Sequence, residues 1–181
     1  METKLPTIKI SNIILRELKV SDFVDLFRIG SNANMCKYLN WGPYKNINEA
    51  LYTLDEIYLK RPMENLPIGY AIVTNGKMIG LIEYHTYIES INSIEIGYFL
   101  EESYWGKGIM TKALKKAILV GFKDLNVDKI VISTLSENIR NINLIERLNL
   151  SYEKEEMIEI DEGIYKLGKY YSIYKNDYME D

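Results

Sequence analysis

A mixed α/β fold in one domain is predicted by three features of the 181-residue sequence. The length matches one typical domain, which buries roughly two thirds of its unfolded surface in a single core. Asn75-Gly76 lies between two apolar runs, which is typical of a β-hairpin with a tight primed turn. From residue 93 to 148 strand-like and helix-like patterns alternate, so at least one parallel strand pair must be joined through a crossover helix. We therefore expect a single domain over residues 1–181.

The predicted elements of the N-terminal part begin with a strand over 8–18. Ser21-Asp22 can cap a helix with apolar residues on one side. After a break at Gly42-Pro43, Asn48 can cap a second helix, which Pro62 ends. Six further strands are predicted in the rest of the chain, over 68–74, 77–87, 93–100, 129–134, 151–160 and 164–175.

Two further helices are predicted in the C-terminal part. From Gly106 onward, apolar residues recur at helical spacing and lysines fall elsewhere on the wheel, which is typical of an amphipathic helix of about four turns. Residues 139–148 form the second helix. The seven predicted strands are expected to form one sheet of about seven strands, against which these helices pack.

The composition excludes several kinds of chemistry. Cys36 and His85 are the only cysteine and histidine, so neither a disulfide nor a His/Cys zinc site is expected, and no metal is predicted. The net charge of −4 provides no field that favours nucleic acid. The N-terminus resembles no secretory signal, and no run of eighteen apolar residues occurs, so we predict a soluble cytoplasmic protein without membrane contacts.

The stretch from Ser93 to Thr111 carries the clearest signal for chemistry. A strand leads into a loop with Gly106 and Gly108, and the loop opens a helix that bears Lys112. Backbone without Cβ atoms can approach a phosphate closely, and the first N–H groups of a helix lack internal partners. This pattern indicates an anion site, although a tight strand-to-helix turn without a ligand has the same sequence.

Motifs in the same order along the chain resemble the GNAT family of acetyl-coenzyme A dependent N-acetyltransferases, and in particular its ribosomal-protein-alanine branch. The resemblance covers residues 13–175. It rests on these segments: Leu15-Arg16, Ile79-Gly80, Glu95-Ile96-Gly97-Tyr98, Tyr104-Trp105-Gly106-Lys107-Gly108, Glu137-Asn138 and Glu146-Arg147-Leu148. It implies a central twisted mixed sheet with helices on both faces and a V-shaped split between two parallel strands.

The resemblance implies acetyl-CoA as cosubstrate. Backbone near Phe99 and Leu100 would face the acetyl group and the pantetheine arm, and the amides of 107–111 would hold the diphosphate. The implied coenzyme contacts are Phe99, Leu100, Trp105, Gly106, Lys107, Gly108, Ile109, Met110, Thr111, Asn138 and Asn141.

This chain departs from the family pattern at four places. Trp105 stands at the first position of the pyrophosphate loop, and Met110 replaces a small residue. Ile145 replaces the tyrosine that often serves as general acid. Asn149-Leu150 replaces Gly-Phe, and asparagine can still form a left-handed helix cap.

Glu95 is the first candidate for a catalytic base, because it lies in an apolar strand on the same face as Gly97 and Phe99. A purely structural carboxylate at Glu95 is an equal alternative, and Glu83 is the second candidate base. Tyr98, Tyr104 and later tyrosines compete as proton donors to the leaving thiolate, and water can also fill that role.

The function predicted is direct acetyl transfer to a primary amine, with a protein N-terminus as one candidate. Two alternatives stay open: a polyamine or aminoglycoside acetyltransferase, and a silent coenzyme A binding module. Residues 31–62, with Tyr38, Trp41 and Tyr44, and the C-terminal hairpin are expected to select the substrate. The chain is expected to be a monomer or a homodimer.

Overall fold

The computed structural model describes residues 4–179, within which the strands form one eight-stranded sheet. The strands are β1 (Ile8–Ile10), β2 (Ile13–Glu17), β3 (Tyr70–Thr74), β4 (Lys77–Ile88), β5 (Ser93–Leu100), β6 (Lys129–Leu135), β7 (Ser151–Asp161) and β8 (Ile164–Tyr174). Their spatial order is β1-β2-β3-β4-β5-β6-β8-β7. The predicted strand over 8–18 is divided, because Ser11 has a φ of 53° and turns the chain back on itself.

Helices cover both faces of the sheet. They are α1 (Phe23–Gly30), α2 (Ala33–Cys36), α3 (Ile47–Tyr52), α4 (Ile109–Lys123), α5 (Ile139–Glu146) and α6 (Lys175–Met179). Helices α1 to α3 pack on one face, where Leu26, Leu54 and Leu81 belong to one buried cluster. Helices α4 and α5 pack on the other face, in a cluster that includes Leu114 and Ile145. The predicted mixed α/β fold with helices on both faces is confirmed.

Two predicted helix caps are wrong. The Asp22 carboxylate accepts hydrogen bonds from the Arg16 guanidinium at 2.7 and 2.8 Å and from the Lys19 amide, so it does not cap α1. The second helix is capped by Asn46, whose side chain accepts from the amides of Asn48 and Glu49. After α3 the chain continues as a π-helical turn, Thr53–Tyr58, and so leaves the α-helix well before Pro62.

The predicted hairpin and the predicted crossover are both present. Asn75 and Gly76 have φ values of 49° and 75°, as a primed turn requires, and join antiparallel β3 and β4. Helix α4 connects β5 to β6, and these two strands pair in parallel. The Tyr84 hydroxyl on β4 donates to the carbonyl of Ala117 at 2.8 Å and fastens α4 to the sheet.

A fork opens between β5 and β6. The two strands pair only from Ser93 with Lys129 to Glu95 with Val131, although β5 runs on to Leu100 and β6 to Leu135. The predicted V-shaped split between the parallel strands is therefore confirmed. Because the sheet separates there, groups from both of its faces can reach one space.

Candidate active site

The fork is the centre of a cleft of about 1230 Å³. Residues of β5 and β6 beyond the last strand pair line it, together with the loop before α4, the start of α5, segment 34–41 and the end of β7. The volume exceeds the roughly 300–1,000 Å³ that usually holds one drug-sized ligand, so a coenzyme and an acceptor can share it.

The free edge of β5 presents backbone groups to the fork. Glu101 N–H donates to the carbonyl of Ile79 at 2.7 Å, and hydrogen-bonded pairs alternate along an antiparallel ladder. The peptide groups of Tyr98 and Leu100 consequently point away from β4 into the fork, whereas those of Phe99 point to β4. Phe99 lines the cleft with its side chain, and the backbone groups that point into the fork belong to its two neighbours.

Trp105 closes one end of this edge. Its indole Nε1–H donates to the carbonyl of Leu100 at 2.7 Å, and the Arg140 guanidinium lies 4.2 Å above its ring. The Leu100 carbonyl is therefore already hydrogen-bonded, and the indole ring packs against the Arg140 guanidinium at the start of α5. The Leu100 N–H and the Tyr98 peptide are directed into the fork.

The glycine loop leads directly into α4. Gly106 and Gly108 have φ values of 73° and 69°, and a Cβ built on either would have no atom within 4 Å. Glycine is therefore needed for the left-handed backbone, and the space beside the loop is open. Met110 places its side chain in the core, so this departure from the family pattern leaves the loop uncrowded. The 15-residue α4 adds unpartnered N–H groups and the positive end of its dipole.

The start of α5 holds a hydrogen-bonded pair that faces the same space. The Asn138 side chain caps the helix through the Asn141 amide at 3.2 Å, and the Tyr98 hydroxyl donates to Asn141 Oδ1 at 2.6 Å. Burial raises the pKa of Tyr98 above its usual value of about 10, although the bond to Asn141 acts in the opposite direction. The phenol therefore keeps its proton at neutral pH. Ile145 is fully buried, and Asn149 forms the expected left-handed turn with a φ of 61°.

On the opposite face of the sheet, Glu95 lies at the point where β5 and β6 part. The Ser133 hydroxyl on β6 donates to the Glu95 carboxylate. Ser133 lines the cleft, so Glu95 reaches the cleft through this hydroxyl. His85, which faces Glu95 across the β4–β5 ladder, also lines the cleft, and its Nδ1 lies 2.8 Å from the Thr86 hydroxyl.

Glu83 lies two residues along β4 from His85 and is already paired. Arg61 Nη2 donates to Glu83 Oε2 at 3.0 Å. Aromatic residues bound this side of the cleft: Trp41 packs edge-on against Phe99, with ring centroids 5.3 Å apart, and stacks on Tyr44 behind it. The β7–β8 hairpin contributes Ile158 and Ile160.

The predicted site residues converge on the cleft, and all but two of them line it. Glu95 lies behind Ser133, and Lys107 places its ammonium 5.1 Å from the Tyr104 ring. Two residues that the sequence did not single out, Ser133 and Arg61, bond to the two candidate bases. Nothing in the sequence reveals these bonds, because both depend on which strands and turns become neighbours. Of the segments expected to select the substrate, Tyr38 and Trp41 line the cleft.

A forked parallel strand pair, with a glycine loop opening a helix on one face and a carboxylate on the other, defines the fold and site of an acyltransferase. The family model described as acetyltransferase (GNAT) domain matches residues 12–151, and the chain belongs to that family. It is therefore a GNAT N-acetyltransferase, and enzymes of this family use acetyl-CoA.

Individual proteins of known structure or sequence are similar over nearly the whole chain. Spermidine N(1)-acetyltransferase of Escherichia coli (strain K12) is 27% identical over 175 residues, covering 94% of this chain and 90% of that protein. The Vibrio cholerae spermidine N-acetyltransferase, solved with CoA and spermine, has a TM-score of 0.79 at 25% identity and covers 94% and 99% of the two chains.

Similarity to the ribosomal-protein branch is also present in the structure. The ribosomal-protein-S5-alanine acetyltransferase from Vibrio fischeri has a TM-score of 0.80 at 20% identity, covering 96% of this chain and 99% of that one. This similarity shows the shared fold. The names of the two kinds of relative specify different amines, a polyamine and a ribosomal-protein alanine.

Residues 4–179 contain neither a cluster of metal-ligating side chains nor a membrane-spanning helix. No group of three or more His, Cys, Asp or Glu side chains is placed to hold a metal ion there. No helix in the same part of the chain is long and apolar enough to cross a membrane.

Proposed function

We propose that the protein transfers acetyl from acetyl-CoA directly to a primary amine at the fork, and that the N-terminal amine of a peptide is the acceptor that its cleft fits best. The observation that carries this proposal is that one continuous cleft joins the loop before α4 to the Glu95–Ser133 pair on the other face of the sheet.

Backbone groups form most of the proposed coenzyme side of the cleft. The amides of 107–111 would hold the diphosphate, because they lie at the N-terminus of α4 beside open space. The backbone N–H and carbonyl of Tyr98 and the N–H of Leu100 would hold the pantetheine arm along the free edge of β5. Bound there, acetyl-CoA supplies the acetyl group as a thioester, so no nucleophile of the protein is needed.

The proton of the acceptor ammonium leaves through Ser133. The hydroxyl of Ser133 faces the cleft and donates its own proton to the Glu95 carboxylate, so it can accept from an ammonium and pass the proton on. The resulting amine forms the N–C bond as the C–S bond breaks, and the thiol departs with one proton.

Tyr98 orients Asn141 in this proposal and does not supply that proton. Its raised pKa makes the phenol a weaker acid than a thiol, for which the pKa is about 8.5. The attacking nitrogen becomes cationic as the N–C bond forms; in that form it is a stronger acid than the phenol and can protonate the thiolate. Tyr98 is thus a positioning residue.

The form and charge of the cleft favour a peptide. It is an open groove, bounded on the acceptor side by aromatic and aliphatic residues from segment 34–41 and the β7–β8 hairpin. A closed, acidic pocket would instead favour a small polycation. The spermidine acetyltransferases among the relatives make a polyamine the second candidate.

A panel of amines assayed by thiol release tests the proposal. Acetyl-CoA is mixed with short peptides with free N-termini, with spermidine and with an aminoglycoside, and we expect turnover of peptides above all others. Acetylation must be mapped to the α-amine by mass spectrometry. Binding of acetyl-CoA with no thiol release from any amine would contradict the proposal and support the coenzyme-binding module.

A further inference from the structure

Arg61 is paired with Glu83, one of the two carboxylates that line the cleft within residues 4–179. It begins a 3-10 turn, Arg61–Glu64, that follows the π-helical turn. Its Nη2 donates to Glu83 and its Nη1 to Glu64, each at 3.0 Å. The Arg61 and Glu83 side chains are only 19% and 17% exposed, so the pair is largely withdrawn from solvent. Glu83 lines the cleft opposite Gly97.

The charges of the cleft are unusual for a site that would receive a polycation. Within residues 4–179, the carboxylates that line it belong to Glu83 and Glu137, and each is paired with a cation that stands outside the lining. Glu83 is held by Arg61, and Glu137 by Lys166 at 2.5 Å. The cations of the lining are those of Lys37, Arg140 and Arg147.

The two ends of a polyamine would meet different conditions here. The reacting ammonium has the Ser133–Glu95 pair, which also removes its proton. A second ammonium a few carbons away needs its own carboxylate, because a cation leaves water only when a counter-charge replaces its solvation. Glu83 is in place for this role, but taking it would leave the Arg61 guanidinium without its partner on the β4 strand.

We propose that Arg61 determines which acceptor amines the cleft binds, because its guanidinium is already paired with Glu83. It neutralises Glu83 and thereby restricts the acceptor site to substrates with a single cationic amine at the reacting end, excluding polyamines. The inference rests on the proposed function and deepens it, since it names the substrate class. Arg61 touches Glu83 and lies outside the cleft lining, so it acts through that carboxylate.

Calorimetric titration of spermidine into the CoA-saturated protein tests this without requiring turnover. We expect no saturable binding to the wild type at millimolar spermidine. Arg61→Gln should bind spermidine with a dissociation constant at least tenfold below the highest concentration at which the wild type shows no binding, because Glu83 is released. The double variant Arg61→Gln with Glu83→Gln should lose that gain. In steady-state assays the ratio of kcat/KM for spermidine to that for a peptide should rise by a similar factor in Arg61→Gln.

Two controls separate charge from position. Lys60→Gln removes one positive charge from the neighbouring residue, which pairs with Glu56, and should leave spermidine binding unchanged. Arg61→Lys keeps a cation near Glu83 and should also resemble the wild type. The CoA dissociation constant, measured for every variant, reports that the protein is folded.

Two results would overturn the inference. One is tight spermidine binding by the wild type, which needs no variant to be folded. The other is an Arg61→Gln variant that binds CoA normally and still shows no gain for spermidine. If spermidine binding responds as expected but no amine is acetylated, the proposed function fails while the role of Arg61 in excluding a second cation stands.

Discussion

The two faces of the fork are built in different ways. On the face that carries α4 and α5, the groups directed at the cleft are mostly backbone: the loop around Gly106 and Gly108, the first turn of α4 and the free edge of β5. On the face that carries α1 to α3, they are side chains from segments far apart in sequence, such as Glu95 with Ser133. Following the proposed function, we call the first the coenzyme face and the second the acceptor face. The coenzyme face suits a ligand common to a whole family, and the acceptor face can vary with the acceptor.

The largest effect is expected from a change on the coenzyme face. Gly108→Glu places a side chain on a left-handed residue and a carboxylate at the N-terminus of α4, where a diphosphate would bind. We expect acetyl-CoA affinity to fall at least about 100-fold, or about 2.8 kcal/mol, by calorimetry. Gly163→Glu is the matched control, because Gly163 has a similar φ of 72° in the β7–β8 turn and open space around it. An equal loss of acetyl-CoA affinity in both variants would mean that backbone strain, and not the position of the carboxylate, causes the loss.

The next largest effect is expected from a substitution on the acceptor face, which should leave CoA binding unchanged. Glu95→Gln can still accept the Ser133 hydrogen bond but cannot take a proton. We expect kcat to fall about 100-fold and the acidic limb of the pH–rate profile to change, with unchanged CoA binding. Glu153→Gln removes a similar carboxylate, bonded to Ser172 at 2.8 Å, and should keep full activity. An unaltered rate and profile for Glu95→Gln would make Glu95 a structural residue.

A smaller effect is expected where the two faces meet. Tyr98→Phe removes the bond that orients Asn141, and one hydrogen bond is worth about 0.5–1.5 kcal/mol, so kcat/KM for acetyl-CoA should fall about threefold to tenfold. The pH–rate profile should not change, because burial keeps the phenol protonated at neutral pH. Tyr178→Phe deletes a hydroxyl bonded to the Lys115 carbonyl and serves as the control. A fall in kcat of several hundredfold, with a shifted alkaline limb, would identify Tyr98 as the acid.

The smallest effect on activity is expected from Cys36, which lies behind the acceptor face. Burial raises the pKa of its thiol to about 11, so it carries no thiolate at neutral pH. Cys36→Ala should leave kcat unchanged and lower the free energy of unfolding by about 1 kcal/mol. A raised pKa stabilises the fold below the unfolded value of about 8.5 and loses this contribution as pH rises toward 11. The stability difference between wild type and variant should therefore shrink over that range, as measured by urea unfolding.

The coenzyme face could be predicted from the sequence because its determinants are local. Two glycines between a strand and a helix require one backbone geometry, which the φ values of Gly106 and Gly108 confirm. The alternation of elements after residue 93 likewise predicted the parallel pair that forms the fork.

The acceptor face could not be predicted in the same way. Ser133 meets Glu95 because β6 pairs with β5 in one register, and a strand shows no sign of its register until its partner is known. Arg61 meets Glu83 from a 3-10 turn that follows a π-helical turn, at a place where the sequence predicts the end of an α-helix. Both contacts join residues more than twenty positions apart.

Amide hydrogen exchange with and without CoA tests most directly that the coenzyme is bound by the backbone of the first face. We predict at least tenfold slower exchange at residues 107–111 and at the Tyr98 and Leu100 amides, because their N–H groups would be hydrogen-bonded or covered. Residues 61–64, on the acceptor side, should be unchanged. Protection at 61–64 with no change at 107–111 would contradict the assignment of the two faces.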